Sequence, residues 1–256
     1  MSNSAALAAY LQRQADALGT GVQRLRDGDQ GAVHPTRVAS RRYRSTLTSF
    51  PRAFDAARAG VVVTELRWLA EVLGEVRDRE VLRETLAGYG ESEPWYDAAL
   101  GRLAGELDQA WAEAQAQLGN PRCDQLLELA GALTEQTPVD IDAEHRAERT
   151  IRRFRLKVHA AVEHSDPEHW HDARKAAKRA RYAAEALAIG GAAPESVKVF
   201  EHLQDLLGEY QDLILAEEFL AGLGIDTGSP RAAIAARREV LISETLSEVD
   251  RLWPEP

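Results

Sequence analysis

His34-Pro35-Thr36-Arg37-Val38-Ala39-Ser40-Arg41-Arg42-Tyr43-Arg44 returns, altered, as His171-Asp172-Ala173-Arg174-Lys175-Ala176-Ala177-Lys178-Arg179-Ala180-Arg181. In both stretches a base stands three places after the histidine, bases stand at seven and eight, and an arginine stands at ten. At about 100° per residue, positions zero, three, seven and ten fall on one side of a helix. His34, Arg37, Arg41 and Arg44 thus form one stripe, and His171, Arg174, Lys178 and Arg181 form another. The opposite sides carry Ala39, Tyr43, Leu47 and Phe50, and Ala173, Ala176, Ala180 and Leu187, so each helix has a core face and a cationic face.

A solvated helix face ordinarily mixes signs, with acids one turn before bases. From Arg37 to Arg58 six arginines meet only Asp55, which points to a partner that supplies the anion. The whole chain carries a formal charge of −10, and by itself that argues against a polyanion binder. Residues 37–58 and 146–181, however, hold 17 of the 31 bases and only 6 of the 41 acids. Such segregation fits a basic binding face on an acidic body.

Outward from these stretches the chain reads as helix after helix, and nothing alternates as a strand would. Leu7, Leu11, Leu18, Val22 and Leu25 space a first helix over 3–26, broken by Asp27-Gly28-Asp29-Gln30-Gly31. A second is expected from Pro35, a residue suited to a first turn, to Arg58, with Gly60 as the break before a third ending near Gly88. Others are expected from Pro94 to Leu118, then to Gln136, from Asp142 to Glu163, from the cap Ser165-Asp166-Pro167 to Ile189, over 195–220, and beyond a loop at 222–230. Thr137-Pro138-Val139-Asp140 is the expected boundary between halves 1–138 and 139–256. With 256 residues, 45% of them apolar, the chain can bury a substantial core. The lone Cys123 excludes a disulfide framework and fits a reducing compartment. No apolar run nears the roughly 18 residues of a membrane span, and the N-terminus lacks a basic region ahead of an apolar one, so neither insertion nor export is expected.

A second echo follows the first. Leu69-Ala70-Glu71-Val72-Leu73-Gly74-Glu75-Val76-Arg77-Asp78 is matched by Leu203-Gln204-Asp205-Leu206-Leu207-Gly208-Glu209-Tyr210-Gln211-Asp212 at an offset of 134, against 137 for the basic stretches. Preserved order and spacing indicate an internal duplication of an all-α unit. A His-x-x-Arg-x-x-x-basic-Arg-x-Arg helix followed by a Leu-Gly-x-x-Arg/Gln-Asp helix, present twice, resembles the CHAD domain, the conserved histidine α-helical domain, over nearly the whole chain. Pro35 departs from the Asp or Gln more usual after the first histidine, and Ala180 from a large apolar residue. The resemblance implies two four-helix-type bundles related by pseudo-twofold symmetry, and a basic surface at their junction that binds inorganic polyphosphate without catalysis.

The side chains suit that ligand. Helical stripes supply a base every turn, about 5.4 Å apart, and arginine, at 27 against 4 lysines, can donate two hydrogen bonds to one phosphate. The expected binding residues are His34, Arg37, Arg41, Arg42 and Arg44 from one half and His171, Arg174, Lys175, Lys178, Arg179 and Arg181 from the other. Arg149, Arg153 and Lys157 of the sixth helix would extend the surface. No catalytic residue, metal ligand or cofactor is expected. His164, His169 and His171 lack converging carboxylate or thiolate support; Asp78 and Asp212 read as orienting nearby arginines or capping backbone groups; neither a Gly-rich phosphate loop nor a nucleophile elbow occurs. Competing readings are nucleic-acid binding, for which only Tyr43 and Tyr182 lie within the stripes as aromatic platforms, and a metal-dependent phosphohydrolase. The expected location is cytoplasmic, with polyphosphate granules as a site of association and no membrane partner.

Overall fold

The computed structural model describes residues 3–90, 93–136, 138–139, 143–164, 166–189 and 194–253, side chains at 3, 143–147, 183–184, 186–189 and 194–197 excepted. The leucine spacing closes as helices: α1 Asn3–Arg26, then a 3-10 turn at Gln30–Ala32, α2 Val33–Ser49, α3 Ala56–Ala87, α4 Pro94–Leu118, α5 Pro121–Thr134, α6 Ala143–His164, α7 Pro167–Ile189, α8 Pro194–Ala221 and α9 Gly228–Leu252. The fold is all-α, with no strand among the described residues. None of the helices there is long and apolar enough to cross a membrane.

Where sequence and structure differ, a proline or a cap explains the difference. The second helix stops at Ser49, not Arg58, because Pro51 disfavours helical backbone in the residue before it, and Phe50 leaves the helix at φ −124°, ψ 58°. Asp55 then caps α3, its Oδ1 accepting the Arg58 N–H at 2.8 Å, so Gly60 falls inside the helix rather than before it. At α7 the cap is Asp166, whose Oδ1 accepts from His169 N at 2.9 Å; Ser165 lies outside the described residues.

The chain forms two compact units. The first comprises Met1–Asp78, Leu107–Ala147 and Tyr182–Pro194, and the second Arg79–Glu106, Glu148–Arg181 and Glu195–Pro256. These units interleave in sequence and do not coincide with halves 1–138 and 139–256: α3, α4, α6 and α7 each pass from one unit into the other. At about 1.5 Å per residue, α3 runs for about 48 Å and serves two cores.

In the first unit Leu11, Leu18, Val22, Tyr43, Leu66, Leu69 and Leu73 pack into one buried cluster. Gly21 lets α1 and α2 approach closely, since a Cβ there would collide with Thr36 Oγ1. Tyr43 ties α2 to α5 through its hydroxyl, which donates to Ala130 O at 2.7 Å. With Ala39, Tyr43, Leu47 and Phe50 all buried, the arginine stripe of α2 is left on the other side. In the second unit Phe154, Phe200 and Trp253 form an aromatic cluster with centroids about 6 Å apart. Ala173, Ala176 and Ala180 are buried and orient α7 in the same way.

Candidate functional site

In the first unit the α2 stripe lies against α3. Ser40 Oγ donates to Leu66 O at 3.3 Å and Arg37 Nη1 donates to Ala70 O at 2.7 Å, so the two helices run antiparallel. Arg37 can lie flat on α3 because Gly74 has no side chain: a Cβ there would sit 3.0 Å from Arg37 Nη1. Burial disfavours the charge of Arg37, as do Arg41, Arg77 and Arg44, while Asp78 favours it. Asp78 thus favours the charged form of Arg37 from across the helix pair. Arg41 is half-buried, and its Nε is a buried donor that meets no hydrogen-bond acceptor. Arg44 is held below the usual arginine range first by burial and then by Arg67, with Tyr182 and Glu71 acting the other way. Among the described residues no carboxylate stands within ion-pair distance of Arg41, Arg44 or Arg67. Arg42, beside the stripe rather than on it, approaches Glu185 at 3.9 Å, a carboxylate that also accepts from the Tyr10 hydroxyl at 3.1 Å. His34 is exposed, on the first turn of α2.

In the second unit several cations meet carboxylates of the chain. Lys157 of α6 and Lys175 of α7 share Asp172, at 2.8 and 3.5 Å, and hydrogen bonding to Lys157 holds that carboxyl below its usual range. His171 Nδ1 meets Gln211 Oε1 of α8 at 3.2 Å. Its pKa is lowered, first by burial and then by Lys175, Arg174 and Lys178, which are thereby gathered around one imidazole. Arg181, expected on the open face, turns inward instead: it is buried and bonded to Glu201 at 2.9 Å and Gln204 at 3.3 Å. Arg149, Arg153 and Arg179 are exposed, with no ion pair among the described residues.

The three histidines considered as metal ligands part company. His169 Nδ1 engages Asp166 at 2.7 Å and its ring lies 4.3 Å from that of His164, whereas His171 faces Gln211. Among the described residues no group of three or more His, Cys, Asp or Glu is placed to hold a metal ion. Arg67 was missed by the sequence reading. It was legible as the base four, seven and eleven residues ahead of Glu71, Gly74 and Asp78, on the α3 face that receives α2.

A family model described as the CHAD domain matches residues 9–221. Uncharacterized protein Rv2226 of Mycobacterium tuberculosis is 33% identical over an alignment covering 74% of this chain and 40% of that protein. MT2285 of the same species matches to the same extent, so the chain spans 40% of the length of both relatives. Among solved structures, PptA from Streptomyces chartreusis superposes with a TM-score of 0.72 at 19% identity, covering 97% of this chain and 96% of that one. The CHAD domain from the plant Ricinus communis superposes with a TM-score of 0.66 at 22% identity, covering 99% and 88%. Both are likenesses of fold.

Proposed function

This chain belongs to the CHAD domain family, and from that premise we propose that it binds inorganic polyphosphate, without catalysis, through the basic faces of α2 and of α6 and α7. The observation that carries the reading is Arg41, whose Nε is a buried donor lacking an acceptor, on a stripe with Arg44 that no carboxylate neutralises among the described residues. A buried, unsatisfied donor costs about 1–3 kcal/mol, and a phosphate oxygen would remove that cost. Polyphosphate supplies anionic oxygens along a flexible strand, matched to guanidinium groups repeating at about 5.4 Å along a helix.

Arg37, Arg41 and Arg44 are assigned to the ligand face of the first unit, with His34 at its edge. His171, Arg174, Lys175, Lys178 and Arg179, extended by Arg149, Arg153 and Lys157, are assigned to that of the second. Arg42 and Arg181, each beside a carboxylate of the chain, order their helices and contribute field rather than contact. Base-reading is disfavoured because Tyr43 and Tyr182 are both buried and cannot stack on a nucleobase.

Calorimetric titration of the full chain with long-chain polyphosphate, duplex DNA and single-stranded RNA, at matched phosphate and salt, tests this. Tightest binding is expected for polyphosphate. Tighter binding of either nucleic acid would overturn the reading, and release of orthophosphate in the presence of a divalent metal would replace it with an enzymatic one.

A further inference from the structure

The two basic helices are not neutralised equally. Each runs antiparallel to the helix bearing its Leu-Gly-Glu stretch, α2 on α3 and α7 on α8, as the hydrogen bonds of Arg37 and Ser40 and of His171 and Arg181 record. Aligned at offsets of 137 and 134, Arg181 stands where Arg44 stands, and Glu201 stands where Arg67 stands. In the second unit this position closes on itself, with Glu201 Oε1 2.9 Å from Arg181 Nη2 and the arginine buried. In the first unit the sign is reversed. Arg44 neighbours Arg67, and no carboxylate stands within ion-pair distance of either among the described residues. Arg67 is exposed and Arg41, one turn from Arg44, brings the buried donor without an acceptor. Glu71 favours the charge of Arg44 and Asp78 that of Arg37, and neither stands within ion-pair distance of Arg41, Arg44 or Arg67.

Like charges placed a turn apart repel, and a water-poor flank strengthens that repulsion. Such a cluster is stabilised by an anion that the chain does not supply. Resting on the polyphosphate reading, we infer that Arg67 is a ligand residue, that phosphate is seated chiefly in the first unit on Arg41, Arg44 and Arg67, and that Glu201 takes in the second unit the place phosphate takes in the first. The protein is then an asymmetric binder, with one repeat holding the anion and its counterpart partly satisfied from within.

The test uses the full chain and long-chain inorganic polyphosphate, titrated against wild type, R67E, R67Q, R179E and E201Q. R67E gives Arg44 the partner that Arg181 already has, and is expected to weaken binding by at least about tenfold, more than R179E does. R67Q, which removes charge without reversing it, is expected to fall between R67E and wild type, and E201Q to bind at least as tightly as wild type. Wild type that binds while R67E and R67Q stay within about twofold of it overturns this inference and leaves the polyphosphate reading standing. Wild type that does not bind at all overturns both.

Discussion

His171 touches Gln211 at 3.2 Å and lies among Lys175, Arg174 and Lys178, and burial followed by those cations lowers its pKa from the ordinary 6.5. A lowered folded-state value means the fold disfavours the imidazolium. The stability this residue contributes is therefore complete above about pH 6.5 and is lost as pH falls through the lowered value. His171→Gln should flatten the acid side of the melting-temperature profile and leave the neutral side nearly unchanged. Bound polyphosphate would reverse the sign, because a nearby anion favours the imidazolium. Imidazole NMR shifts titrated with and without polyphosphate should show the His171 midpoint rise on binding; an unmoved or lowered midpoint would remove His171 from the ligand face.

The helix pair α2 and α3 shows how local chemistry sets the register on which such residues depend. Gly74 and Gly208 are counterparts in the Leu-Gly-Glu echo, yet a Cβ at Gly74 meets Arg37 Nη1 at 3.0 Å and one at Gly208 meets nothing within 4 Å. Gly208→Ala should stabilise by about 0.5–1 kcal/mol, the ordinary gain for alanine inside a helix. Gly74→Ala should gain little, since displacing Arg37 from Ala70 O offsets that benefit by about 0.5–1.5 kcal/mol. Equal gains in denaturant midpoint would show that Arg37 is not held there. Asp55→Ala, which removes the α3 cap, should cost about 1 kcal/mol and lower the melting temperature. These details also mark what could be read from sequence. The amphipathic faces of α1, α2 and α7 were legible because apolar spacing decides them. The break at Pro51 was hidden by the continuing arginines of residues 37–58, whose charge pattern says nothing of backbone φ and ψ. The inward turn of Arg181 depends on which α8 side chains oppose its stripe, and a single-helix projection does not contain that information.

For the molecule as a whole, an overall charge of −10 coexists with basic helix faces because the bases are concentrated in a few helices. The all-α architecture followed from periodicity and from the family resemblance, and the family is shown by the match over residues 9–221. The interleaving of the two units was not legible, since helix length alone does not say how many cores a helix enters. Membership of the family and two stripe arginines, Arg41 and Arg44, with no carboxylate at ion-pair distance among the described residues support one proposal, that α2 receives phosphate. The most direct measurement is calorimetric titration with long-chain polyphosphate across a series of salt concentrations, comparing the wild-type chain with the R41M/R44M double variant. Loss of two charge-assisted contacts should weaken affinity by about a hundredfold and reduce the salt slope by about 1.4, at roughly 0.7 per phosphate contact to a single strand. A folded double variant with wild-type affinity and slope would contradict the account.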